Sequence, residues 1–145
     1  MPIRERDKDN IRHHIDATFR AYIDQDWEAL RTARVQGWAG FTIDAASIIR
    51  GSESYILRVK RLLKDINLID YEMVEINYAF YGPVCVVPYV ARLRGAWARG
   101  GAFEAKLRVL DLYARRDGTW HQVAGSISLH PDTMASSEII TALRD

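Results

Sequence analysis

Asp111 is the residue in this chain whose setting most plainly invites chemistry. It lies in the middle of the segment Phe103 to Arg116, between Leu110 and Leu112, and shares strand parity with Val109 and Tyr113. A carboxyl group on an apolar face has its ionised form disfavoured. Its pKa rises, and it becomes a potential acid or hydrogen-bond donor. The competing reading is a structural ion pair with Arg92, Arg94 or Arg108, on this strand or the adjacent one. The other reactive residue types form no such setting. His13 and His14 are neighbours on a helix and point in different directions, while His121 and His130 fall on opposite parities of the last strand. Ser126 and Ser128 share a face without an adjacent base, which leaves a nucleophilic triad unsupported. No His, Cys, Asp or Glu cluster has metal-ligand spacing, so neither a metal nor a cofactor is expected. The single cysteine, Cys85, sits in the apolar run Val84 to Val87 and reads as a small buried hydrophobe. Gly100-Gly101 is a hairpin turn rather than a phosphate-binding loop.

The elements that must hold Asp111 are legible from periodicity. Apolar residues at Ile11, Ile15, Phe19, Tyr22, Ile23, Trp27 and Leu30 make one helical stripe. A second helix is predicted from Ser52, as N-cap, to Ile66, burying Tyr55, Ile56, Val59, Leu62 and Leu63. Val35 to Ile49 between them reads as a loop with a short strand or helical turn. The period then changes. Ile69–Tyr81, Val84–Trp97, Phe103–Arg116 and Trp120–His130 are rich in Val, Ile, Tyr and Leu, and are divided by Gly82-Pro83, Gly100-Gly101 and Asp117-Gly118. Such short connections force antiparallel neighbours, hence a β-meander. Pro88 lacks a ladder donor and predicts a bulge or kink in its strand. Ser136 to Leu143 could add a last helical turn or two.

Composition bounds the class. The chain has 145 residues, 48% hydrophobic and 27% charged, which suits one globular domain spanning 1–145, with 1–9 and 134–145 as flexible or accessory ends. Twenty basic residues against 19 acidic ones leave a net charge of +1, too little field to attract nucleic acid or an anionic membrane. The charged N-terminus is unlike a signal peptide, and no run approaches the ~20 apolar residues of a membrane span, so a cytoplasmic location is expected. Apolar residues occupy both parities of the strands. Two helices cover only one face of a four-strand sheet, so the other is expected to meet a second copy in a homodimer, unless the tail and loops cover it.

The order helix, loop, helix, meander, closing on Arg108-Val-Leu-Asp111-Leu-Tyr-Ala-Arg-Arg-Asp117-Gly118-Thr-Trp120-His-Gln-Val, resembles the SnoaL-like, nuclear transport factor 2-like superfamily. Tyr81-Gly82-Pro83-Val84-Cys85-Val86-Val87 is similar to its strand-Gly-x-x-Ala-Val-Val element, and Asp26-Trp27-Glu28-Ala29-Leu30 to its Asp-x-x-Ala-Leu. The resemblance implies an α+β cone, with N-terminal helices packed on a strongly curved antiparallel sheet of four to six strands. It also implies a mostly apolar pocket and dimers joined through the convex sheet face. Leu110 and Ser126 stand where many such sequences carry Thr and His, so a site needing that histidine is absent or altered.

By the same resemblance, Asp111 matches a position that points into the pocket as an oxyanion-stabilising acid, and Asp44 falls near the carboxylate base of isomerase-like members. The competing reading of Asp44 is an exposed loop aspartate. Tyr22, Trp38, Tyr55, Tyr89 and Tyr113 are expected around the cavity. The functional expectation is a cofactor-free isomerase, cyclase or dehydratase acting on a small, largely apolar carbonyl compound by acid–base catalysis. The alternatives are a non-catalytic small-molecule-binding module and a dimerisation domain.

Overall fold

A computed structural model describes residues 3–134. The helical turn expected between Ser136 and Leu143, and the end segment 135–145, lie outside the described residues. Helix α1 (Ile3–Asp24) carries the predicted stripe: Ile11, Ile15, Phe19 and Tyr22 are buried. Residues 3–9 form its first turns, and Asp7 is buried there, accepting a 3.0 Å hydrogen bond from the Trp120 indole Nε1. The stripe's continuation to Leu30 is a separate helix, α2 (Trp27–Thr32). Gln25 adopts φ 52°, ending α1, and the Asp26 carboxylate then accepts from the Ala29 backbone N–H to cap α2. Periodicity alone could not see this break, because a one-turn redirection leaves Trp27 and Leu30 nearly in phase.

After α2 the chain enters β1 (Arg34–Phe41), a longer strand than the loop with a short strand or helical turn expected over Val35 to Ile49, and then the short β2 (Ile49–Arg50). Helix α3 (Ser52–Leu62) buries Tyr55, Ile56 and Val59. Its cap is Gly51, at φ 89°, rather than Ser52, which lies inside the first turn. The helix stops at Leu62, and Ile66 already belongs to β3 (Ile66–Ile76). The meander follows as β4 (Ala79–Tyr81), β5 (Val84–Trp97), β6 (Ala102–Arg116) and β7 (Thr119–Leu129), and Pro131–Met134 add a turn of helix, α4. Asp117 and Gly118 both have positive φ, 55° and 78°, as a two-residue hairpin loop demands.

The strands form one curved, unclosed sheet of seven in the order β2-β1-β7-β6-β5-β3, with β4 also paired to β5. The expected α+β arrangement of helices on a curved sheet is present. The sheet differs from the expected one in being mixed: β1 runs parallel to β7. That pairing was hidden because β1 and β7 are far apart in sequence. Pro88 does not bulge its own strand, since the β5–β6 register runs unbroken through Val87↔Asp111, Pro88↔Leu110 and Tyr89↔Val109. The break lies in the neighbour. The Pro88 carbonyl accepts from the Asn77 N–H, so its missing donor faces the gap between β3 and β4.

The concave face of the sheet packs on α1 and α3. From β6 it takes Ala105, Leu107, Val109, Asp111 and Tyr113, all buried. On the convex face two cross-strand rows are apolar but for Ser126: Phe41, Ser126, Leu110 and Pro88, then Ala39, Ala124, Leu112 and Val86. Leu110 is 42% exposed and Phe41 40%.

Candidate functional site

The space between the helices and the concave sheet has two parts of opposite character. The outer part is a chamber of about 120 Å³ walled by apolar side chains from α3, β3, β5, β6 and β7, among them Val59, Leu62, Leu93, Trp97, Phe103 and Leu107. The inner part is a void of about 10 Å³, room for a single water. Arg34, Tyr89, Asp111, Tyr113 and Gln122 line it. Phe19, Tyr22 and Ile127 belong to both walls, and Tyr55 to the outer one.

Asp111 reaches the inner void because β6 alternates inward at that position and because its partner on β7 is Gly125. A Cβ on Gly125 would stand 2.7 Å from Asp111 Oδ1. Gly125 is itself crossed closely by β1, where a Cβ on Gly40 would meet the Gly125 carbonyl oxygen. Paired glycines therefore leave room for the carboxyl group. Tyr89 Oη donates to Asp111 Oδ2 at 3.1 Å. Burial pushes the Asp111 carboxyl up to about 6, against the charge of Arg34 and the hydrogen bonds of Tyr89 and Gln122, which favour its ionised form.

Arg34 is the unexpected residue. It opens β1, is 7% exposed, and forms no ion pair among the described residues. Its Nη2 donates to the hydroxyls of Tyr22 and Tyr55, each at 2.9 Å, and its guanidinium carbon stands 3.7 Å from the Tyr55 ring centre. Nε and Nη1 are buried with no hydrogen-bond partner among the described residues. Burial alone would weaken its hold on a proton, yet Tyr22, Tyr55 and the nearby Asp111 raise its pKa above the usual arginine value. The Tyr22 and Tyr55 hydroxyls also touch each other. Each hydroxyl owns one proton, and only one of the two can lie in their mutual bond. The second proton has no acceptor among the described residues and is available to a bound oxygen.

A further chain of hydrogen bonds fixes Tyr113. His14 Nε2 lies 2.9 Å from the Ala33 carbonyl oxygen, and its Nδ1 lies 2.8 Å from Tyr113 Oη. The carbonyl can only accept, so Nε2 carries the proton and Tyr113 donates to Nδ1. Burial, with Arg34 nearby, holds the His14 pKa below the usual histidine value, which suits this neutral tautomer.

The expected site residues divide accordingly. Asp111, Tyr22, Tyr89 and Tyr113 converge on the inner void, and Tyr55 joins them through Arg34. Trp38 is buried edge-on to Tyr55 and lines neither space. Asp44 does not come to Asp111. Its carboxylate accepts from Thr42 Oγ1 at 2.7 Å and pairs with Arg58 at 3.3 Å in the loop after β1, so the paired-carboxylate geometry is not formed. The ion pair weighed for Asp111 is also not formed with the arginines considered. Arg92 pairs with Glu72 and Glu104, and Arg94 with Asp70; on β6, Arg108 has outward parity and is exposed. Among the described residues no group of three or more His, Cys, Asp or Glu could hold a metal. Arg34, Gln122 and His14 were missed. Gln122 has the parity of Trp120 and was findable; Arg34 was not, because it precedes the segment Val35 to Ile49, which was expected to be mostly loop and gave Arg34 no strand parity.

No family model matches the chain, and no curated protein matches it in sequence. Solved structures do match. A nuclear transport factor 2-like protein from Cytophaga hutchinsonii is 17% identical, with a TM-score of 0.68 over 90% of this chain and 100% of that one. An uncharacterised cystatin-like protein from Caulobacter vibrioides is 18% identical, with a TM-score of 0.69 over 92% and 97%. A ketosteroid isomerase-like protein from Erwinia carotovora atroseptica is 15% identical, with a TM-score of 0.70 over 83% and 93%. These likenesses, joined to the helix–sheet cone described above, identify the fold of this chain as the nuclear transport factor 2-like, cystatin-like fold.

Proposed function

We propose that the chain is a cofactor-free acid–base enzyme of the isomerase, cyclase or dehydratase type, acting on a small compound with an apolar body and a carbonyl group. The observation that carries this reading is Asp111: a buried carboxyl with a pKa of about 6, hydrogen-bonded to Tyr89, beside an apolar chamber. A group poised there takes a proton next to a carbonyl and returns it at another carbon with little loss either way. The apolar chamber holds the substrate body, while the spare Tyr22–Tyr55 hydroxyl proton, backed by Arg34, stabilises negative charge developing on the carbonyl oxygen. The likeness to a ketosteroid isomerase-like protein lends support in fold. Proton exchange in D2O tests it: small cyclic enones and ketones should gain deuterium next to the carbonyl, and Asp111→Asn should stop the gain. Exchange that persists unchanged in that variant would remove Asp111 from the chemistry.

One observation favours a second reading, a non-catalytic binding module. Asp44 is engaged by Arg58, leaving one carboxyl group rather than two at the cavity. Ligand binding without any exchange would select it. In either case we propose a homodimer through the convex rows around Leu110 and Phe41, whose exposure supports it. Sedimentation should show a dimer that Leu110→Glu converts to monomer. No helix among the described residues is long and apolar enough to cross a membrane.

A further inference from the structure

We infer that Arg34 anchors a carboxylate, so that the ligand of this cone is a monocarboxylic acid whose hydrocarbon part fills the outer chamber. The inference rests on the cavity being a ligand site, as read above, and names the chemical class that enters it. A buried cation needs a counter-charge and partners for its N–H groups. Arg34 has hydroxyl partners on Nη2 alone, while Nε and Nη1 have none among the described residues. Asp111 does not supply the missing contact: no carboxylate oxygen of the described chain lies within ion-pair distance of the guanidinium. The polar void that Arg34 lines is separated from the apolar chamber by Phe19, Tyr22 and Ile127, which line both. The void as it stands has room for one water, so entry of a carboxylate requires the Tyr22 ring to turn aside and join the two spaces. A carboxylate then meets the guanidinium as its chain lies among Val59, Leu93 and Leu107. A ligand lacking the charge, such as an alcohol of the same length, fills the chamber equally and leaves the cation unpaired.

Binding of hexanoate, hexan-1-ol and methyl hexanoate to the whole chain, followed by calorimetry and by ligand NMR, decides the matter. The expected result is hexanoate bound at least tenfold more tightly than either neutral analogue, with that preference lost in Arg34→Met and partly kept in Arg34→Lys. If Arg34→Met does not fold, the wild-type comparison stands alone, with contacts from hexanoate to the Tyr22 and Tyr55 rings as the second readout. Equal binding of acid and alcohol overturns the anchor, as does an acid preference that survives Arg34→Met. Deuterium exchange of a neutral ketone without acid preference would sink the anchor and spare the catalytic reading. Acid preference without exchange would do the reverse.

Discussion

The inner and outer parts of the cavity are made by the same strands. On β6, Leu107 belongs to the outer wall and Asp111 to the inner one, four residues and about 13 Å apart along a single face. The outer wall is apolar and encloses empty space. The inner end is nearly filled and carries three adjoining hydrogen-bonded sets: Arg34 with Tyr22 and Tyr55, Asp111 with Tyr89 and Gln122, and His14 with Tyr113. The contrast teaches where substitutions will be felt. An apolar wall beside a void tolerates changes of shape, because nothing depends on one geometry. A buried polar cluster does not, because every group removed strands another.

Arg34→Met should produce the largest effect. It takes the donor from two buried hydroxyls and a nearby positive charge from Asp111, at a cost of about 1–3 kcal/mol for each hydroxyl left unsatisfied, read in urea denaturation at pH 7. Adding Asp111→Asn should recover part of it, since the pair are coupled; strict additivity would show that the two groups do not interact. Second is the pH dependence. Asp111 has a folded pKa raised to about 6 from 3.8, so its contribution is most favourable below pH 4 and is lost as pH rises through 6. The loss is on the order of 3 kcal/mol at most, and Asp111→Asn should flatten that limb of the stability curve. His14 works in the opposite sense. Its folded pKa is lowered, so its contribution falls as pH drops below the usual histidine value, and His14→Gln should flatten that limb instead.

Smaller effects sharpen the contrast. Tyr113→Phe strands His14 Nδ1 and should cost about 1–2 kcal/mol, which a denaturation midpoint resolves. Val59→Ile adds a methyl group at the outer wall, where room exists, and should change stability by less than about 1 kcal/mol in either direction. A Val59→Ile penalty equal to that of Tyr113→Phe would mean that the two ends are equally constrained.

Much of this site could be read without coordinates. Asp111 was findable because a lone acid interrupts an otherwise apolar strand parity, and Tyr89 and Tyr113 because they share that inward face. The meander followed from its turns, Asp117-Gly118 most clearly. Asp44 came second to Asp111, on resemblance rather than on its own setting, and Thr42 and Arg58 engage its oxygens. Trp38 was expected around the cavity with the other aromatics and packs edge-on to Tyr55 instead.

Period and parity are local properties, and they determined the two main helical stripes, the strands of the meander and which side of β6 faces the helices. The parallel docking of β1 on β7 is non-local: its close crossing uses Gly40 and Gly125, 85 positions apart, and no periodicity links them. That one pairing carries Arg34 to Asp111's side of the molecule and sets a buried positive charge near the carboxyl without an ion-pair contact. Sequence alone placed the acid; the tertiary structure decided that a buried cation would stand near it, because burial and approach are settled only when distant strands meet.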